Sequence, residues 1–210
     1  VEGQLERRRD FRFYSHIVTI DGADSKDLDD AVQIVPLENG NVMLGGHIAD
    51  VGEYIREGAI LDKEAYQRGT SVYFVDRVLP MLPEAISNGI CSLNAGQDRF
   101  ALSCVMEINP RGQVVTAEIS ESIINVERRF TYDTVNEILQ TQEFAEDPSY
   151  VDTFNDMRAL AKTLYNNRIE RGALEFDLPE SKVVLDDAGH AVDIVVRQRG
   201  EAEQIIEEFM

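Results

Sequence analysis

Thr19-Ile20-Asp21-Gly22-Ala23-Asp24-Ser25-Lys26-Asp27-Leu28-Asp29-Asp30-Ala31 places five aspartates between positions 21 and 30. An apolar run enters this stretch (Ile17, Val18, Ile20) and another leaves it (Ala31, Val32, Ile34, Val35). Short β-branched runs of this kind read as buried strands, so the aspartates belong to the connection between two strands. Carboxylates this close repel one another, and a bound cation or a shared proton relieves the repulsion. An all-oxygen donor set favours a hard ion, magnesium, manganese or calcium, over zinc.

A solvated acidic turn is the plain alternative. An EF-hand loop is not one, because it needs acids at positions one, three and five, glycine at six and glutamate at twelve. Counted from Asp21, those places hold Ala23, Ser25 and Lys26; counted from Asp27, position six is Val32. Neither register fits.

The chain has 210 residues and 43% hydrophobic content, enough for one large domain or two small ones with a real core. No apolar stretch reaches the ~20 residues of a membrane span, and no signal peptide opens the sequence. Cys91 and Cys104 lie in apolar surroundings without metal-ligand spacing and are expected to be reduced, buried thiols of a cytosolic protein. His16, His47 and His190 are too scattered for a zinc site, and His47 is expected to be a core residue. The net charge of -19 argues against a protein that coats nucleic acid over an open surface, which is usually basic. An enzyme that grips phosphate through carboxylate-held metal tolerates such a charge.

Around the acidic stretch, Glu6-Arg7-Arg8-Arg9-Asp10 with Arg12 is the densest basic run and reads mostly as a solvated lead-in over residues 1–15. Val32 to Leu37 and Val42 to Asp50 form a hairpin around Asn39-Gly40, a two-residue turn signal. Its register should bring His47 and Asp50 towards the aspartates. Gly45-Gly46 leaves room for a bulge or a close backbone approach. A short helix over 58–68 should end at Gly69. A strand over 70–75 follows, then an extended path through Pro80 and Pro83 without a regular ladder, then a turn-rich loop over 87–94. A strand is expected over 100–108, a further strand region over 114–117 with 119–124, and a helix with hydroxyl caps from Thr131. In the next helix Tyr150, Phe154, Met157, Ala161 and Leu164 make one buried stripe. Residues 183–196 read as a hairpin, and Glu201 to Met210 as the start of an uncapped helix, which suggests a fragment. The fold class is α+β with a mainly antiparallel β-sheet and flanking helices.

Ile20-Asp21-Gly22 followed by Asp27-x-Asp29-Asp30-Ala31 resembles the signature of the RNB catalytic domain of ribonuclease II and ribonuclease R exoribonucleases, closest to the bacterial ribonuclease R branch. The Arg-Arg-Asp-Phe-Arg lead-in, His47-Ile48-Ala49-Asp50-Val51, the run from Ser71 to Cys104 and the final Ile-Glu-Glu extend the resemblance along nearly the whole chain. Gly52-Glu53 departs from it, where many relatives carry Ser-His. The resemblance implies a 3′→5′ hydrolytic exoribonuclease that releases nucleoside 5′-monophosphates from the 3′ end of single-stranded RNA in the cytoplasm. It assigns Asp29 as the catalytic aspartate and Asp21, Asp27 and Asp30 as ligands or orienters of Mg2+, with Mn2+ as a substitute. Asp24 lies outside the pattern and should face solvent. Tyr73 and, more weakly, Tyr132 are implied to contact RNA, and a tyrosine stacks on any base. Discrimination against DNA would need contacts to the 2′-hydroxyl.

Two family features have no match here: a later Ser-Pro-Ile-Arg-Arg-Tyr-like run with an essential arginine, and flanking OB-fold domains of cold-shock and S1 type. The chain therefore corresponds to a partial RNB domain over 1–210, about the first two thirds of the catalytic domain. A non-catalytic binding module descended from such a nuclease and a structural metal-binding domain are the competing readings.

Overall fold

A computed structural model describes residues 6–176, 180–186, 188–197 and 199–210. Its centre is a seven-stranded sheet in the order β1-β8-β7-β4-β3-β2-β9. The strands are β1 (Arg9–Asp10), β2 (Val18–Asp21), β3 (Asp30–Pro36), β4 (Val42–Ala49), β7 (Asp98–Ile108), β8 (Val114–Asn125) and β9 (Arg128–Thr131). The central pairs are antiparallel. Both edges are closed by short parallel strands, β1 on β8 and β9 on β2. The expected α+β fold with a mainly antiparallel sheet is the one observed.

Strand alternation sends successive side chains to opposite faces, and each face has its own core. On one side Val18, Ile20, Val32, Ile34 and Leu44 meet three helices, α3 (Tyr132–Thr141), α4 (Ser149–Glu170) and α5 (Glu201–Phe209). Tyr150, Phe154, Met157 and Ala161 of α4 are buried as the sequence stripe requires, and Leu164 packs against them. On the other side Phe11, Ile17, Leu28, Ala31, Cys91, Leu93 and Ile124 form a second cluster. Leu28 belongs to it, so the acidic connection between β2 and β3 is nailed into that core by its one large apolar residue.

Several local expectations change. The β3–β4 turn is not a two-residue hairpin: Leu37 N–H donates to Asn41 O at 2.9 Å and Gly40 N–H to Leu37 O at 3.0 Å. Glu38, Asn39 and Gly40 thus form a three-residue loop, with Gly40 at φ 83° supplying the left-handed residue it needs. The ladder of β3 with β4 runs through Gly45-Gly46 without a bulge; Gly45 makes room instead for the His47 ring, whose Nε2 would sit 3.0 Å from an added Cβ. After α1 (Val51–Tyr54), helix α2 (Ile60–Arg68) ends at Gly69, φ 73°, as expected. The strand expected over 70–75 shrinks to β5 (Val72–Tyr73), and the proline segment does form a two-residue ladder with it, β6 (Val78–Leu79). Part of the turn-rich loop is a π-helical turn, Ala85–Ile90. The strand region expected over 114–124 is β8, as read. Cys91 is buried, but Cys104 is only half-buried. β10 (Glu180–Leu185) and β11 (Ala191–Arg197) pair antiparallel as the expected hairpin; Asp187 in its turn lies outside the described residues.

The lead-in is less solvated than its charge suggests. Residues 1–5 lie outside the described residues. Arg8 is fully buried: its Nη2 donates to Asp50 at 2.7 Å and Glu53 at 2.8 Å, and its guanidinium lies 4.3 Å above the Phe100 ring. Arg7, Arg9 and Arg12 form exposed or half-exposed pairs and fit the solvated reading. The Arg8 bond also redirects Asp50. Its carboxylate caps α1 and pairs with Arg8 instead of turning to the aspartates. His47 likewise points into the core, its Nδ1 2.6 Å from Ser103 Oγ.

Candidate active site

The acidic connection leaves the sheet at Asp21 and re-enters at Asp30. Gly22 to Ser25 form a turn closed by Ser25 N–H to Gly22 O, 3.1 Å. Four residues from other elements anchor the connection. Ser92 Oγ accepts from Leu28 N–H at 3.1 Å and donates to Lys26 O at 3.0 Å, while Leu93 N–H donates to Leu28 O at 2.7 Å. Ala49 N–H reaches Asp29 O at 2.9 Å. Arg129, on the edge strand β9, donates from Nη2 to the carbonyls of Gly22 and Ala23 at 3.2 Å and of Ser25 at 2.8 Å. Neither Ser92 nor Arg129 stands out in the sequence, since each meets its partners only through the folded sheet.

The carboxylates feel one another. Burial raises the Asp21 pKa to about 7, with Asp30, Asp29 and Asp27 pushing the same way and Arg129 opposing. Burial also raises Asp30, helped by the charge of Asp29. Asp29 lies at the surface, yet loss of surrounding water and the charge of Asp27 raise it as well. Asp21 Oδ2 is buried and has no hydrogen-bond partner among the described residues. Asp24 is almost wholly exposed, as expected, with Lys182 Nζ 3.7 Å away.

An orphaned carboxylate oxygen among mutually repelling aspartates suits a hard cation, so the residues present fit magnesium or manganese in donor chemistry. Among the described residues, however, no three acidic, histidine or cysteine side chains are gathered so as to hold an ion in this arrangement.

Tyr73 is beside this loop. It is 67% exposed, and its hydroxyl donates to Asp27 Oδ2 at 3.4 Å. Desolvation, then Asp27, raises its pKa. Tyr132 follows Thr131, the register partner of Asp21, so it too starts at this end of the sheet, but its ring packs half-buried against the helical core.

The RNB domain model matches residues 8–210. The chain belongs to the RNB domain family. This RNB domain is 49% identical over 212 residues to ribonuclease R 1 of Lactococcus lactis, covering all of the chain and 25% of that protein. It is 49% identical over 202 residues to ribonuclease R of Thermotoga maritima, covering 92% of the chain and 28% of that protein. Among solved structures, Mycoplasma genitalium RNase R in complex with ribose methylated single-stranded RNA matches with a TM-score of 0.93 and 30% identity, over all of this chain and 32% of that one. The RNB domain thus spans about a quarter of the length of these curated relatives.

Proposed function

We propose that this RNB domain is the catalytic part of a cytoplasmic 3′→5′ hydrolytic exoribonuclease that takes single-stranded RNA at its 3′ end and releases nucleoside 5′-monophosphates. The observation that carries the reading is the anchored aspartate loop, with its orphaned Asp21 oxygen, in a chain of this family. Asp21, Asp27 and Asp30 would hold magnesium or manganese. A divalent ion there would neutralise charge on a phosphate oxygen and make a nearby water a better nucleophile.

In the reaction, a water oxygen bonds to phosphorus and the bond to the 3′-oxygen of the preceding nucleotide breaks. The shortened RNA keeps a 3′-hydroxyl and the released nucleotide its 5′-phosphate. Asp29, at the surface beside Asp30, would be the catalytic aspartate that the family resemblance assigns. Tyr73, exposed next to Asp27, offers a ring on which a terminal base stacks whatever its identity. The acidic charge implies that the basic surfaces guiding RNA lie in other parts of the full-length protein, such as OB-fold domains of cold-shock and S1 type. No described helix is long and apolar enough to cross a membrane.

The test uses the full-length protein with uniformly labelled single-stranded RNA and Mg2+, beside Asp29→Asn. Stepwise shortening with mononucleotide release, lost in the variant, supports the reading. RNA binding without release by the wild type overturns it in favour of a non-catalytic binding module.

A further inference from the structure

We propose that Arg129 is a positioning residue for catalysis, holding the Gly22–Ser25 turn so that Asp21 and Asp27 stay on either side of a fixed bend. The proposal rests on the reading of the acidic loop as the catalytic metal site. Its geometry is specific. A single nitrogen of Arg129 serves three carbonyls of one turn, and the Gly22 carbonyl it binds also accepts the Ser25 N–H that closes the turn. The arginine is set there by β9, where Arg129 lies opposite Thr19 of β2 and Thr131 opposite Asp21. The strand that bears Asp21 and the strand that bears the clamp are hydrogen-bonded neighbours, so the clamp cannot drift from the carboxylate it serves.

The far half of the loop has its own fasteners, Ser92, Leu93 and Ala49. The near half, four residues without a large apolar side chain, has Arg129. Carbonyls aimed at a guanidinium cannot turn towards the aspartates, and the turn as a whole cannot swing outward under carboxylate repulsion. Hydrogen bonds to a charged donor are stronger than neutral ones. Arg129 is exposed and charged, so the rival role is a direct grip on an RNA phosphate.

The two roles separate in kinetics. In the full-length protein, Arg129→Met is expected to lower kcat by about 10- to 100-fold, the loss set by hydrogen bonds to a charged donor, with KM within about twofold. Mn2+ binding, followed by electron paramagnetic resonance, should weaken by roughly tenfold, and the Ser25 amide should exchange faster. Loss of these three hydrogen bonds should lower the melting temperature by a few degrees, so kinetics and Mn2+ affinity are compared well below it. Arg129→Lys, which keeps a charged donor, should recover part of kcat. A raised KM with unchanged kcat would overturn positioning in favour of a phosphate contact, and unchanged kcat with unchanged Mn2+ affinity would overturn it outright. A wild type that binds no Mn2+, with Asp29→Asn fully active, removes the metal-site reading itself and this proposal with it.

Discussion

His47 makes an unusual demand on the fold's pH dependence. It sits in β4 with no exposed surface, its Nδ1 2.6 Å from Ser103 Oγ, the Phe11 ring 5.5 Å away edge-on, and Gln33 and Gly45 on its remaining side. Among the described residues no carboxylate bonds it, and burial lowers its pKa from 6.5 to about 4. The unfolded chain therefore binds a proton between those values while the folded chain does not, so stability falls as pH drops through 6.5 and goes on falling until about 4. The full effect is about 3.4 kcal/mol, and between pH 7 and pH 5 it amounts to about 2 kcal/mol. Asp21, Asp29 and Asp30 act in the opposite sense, because their raised pKa values favour the folded state on acidification. Those carboxylates are common to the wild type and a His47→Asn variant, so they cancel in the difference. Urea unfolding of both at pH 7 and pH 5 should show the variant less stable at pH 7, yet losing about 2 kcal/mol less on acidification. Equal losses in the two proteins would refute the reasoning, as would a native-state NMR titration of His47 near 6.5.

Three further outcomes follow from the site and its supports. Ligation needs Asp21 ionised, and with its pKa about 7 the affinity for Mg2+ should rise roughly tenfold from pH 6 to pH 8, read by calorimetry; a flat profile would separate Asp21 from the ion. Tyr73→Ala in the full-length protein should weaken RNA holding by about 1–3 kcal/mol, the worth of one stacked base, in a fluorescence titration. Gly200→Ala should cost about 1–2 kcal/mol in thermal unfolding. A Cβ there would lie 2.6 Å from Asn136 Oδ1, the atom that accepts the Ala202 N–H and caps α5.

What could be read along the chain was whatever depends on near neighbours. The apolar runs on either side of Asp21 to Asp30 gave the strand–loop–strand, the spacing of Tyr150, Phe154, Met157 and Ala161 gave the buried face of α4, and Gly69 marked a helix end. The misses are contacts between distant segments. Arg8 looks like one more solvated arginine until the sheet brings it to Asp50 and Glu53, and that same pairing takes Asp50 from the place the hairpin register suggested. Both parallel edge pairs, β1 with β8 and β9 with β2, join segments more than a hundred residues apart, for which periodicity holds no signal. The β3–β4 turn failed for a local reason: Asn39-Gly40 serves equally in a two-residue loop and in a three-residue loop with glycine last. Within the site, the aspartates and Tyr73 are visible as residue types, whereas the clamp of Arg129 exists only once β9 has paired.

That pairing also sets an order of events during synthesis. Asp21 and its neighbours leave the ribosome long before Arg129, and at roughly 5–20 residues per second the strand that completes the loop arrives on the order of 5–20 s later. Until then β2 lacks its parallel neighbour β9, and the Gly22–Ser25 turn lacks its three hydrogen bonds from Arg129. The loop between β2 and β3 is thus completed by the last strand of the seven-stranded sheet to be made.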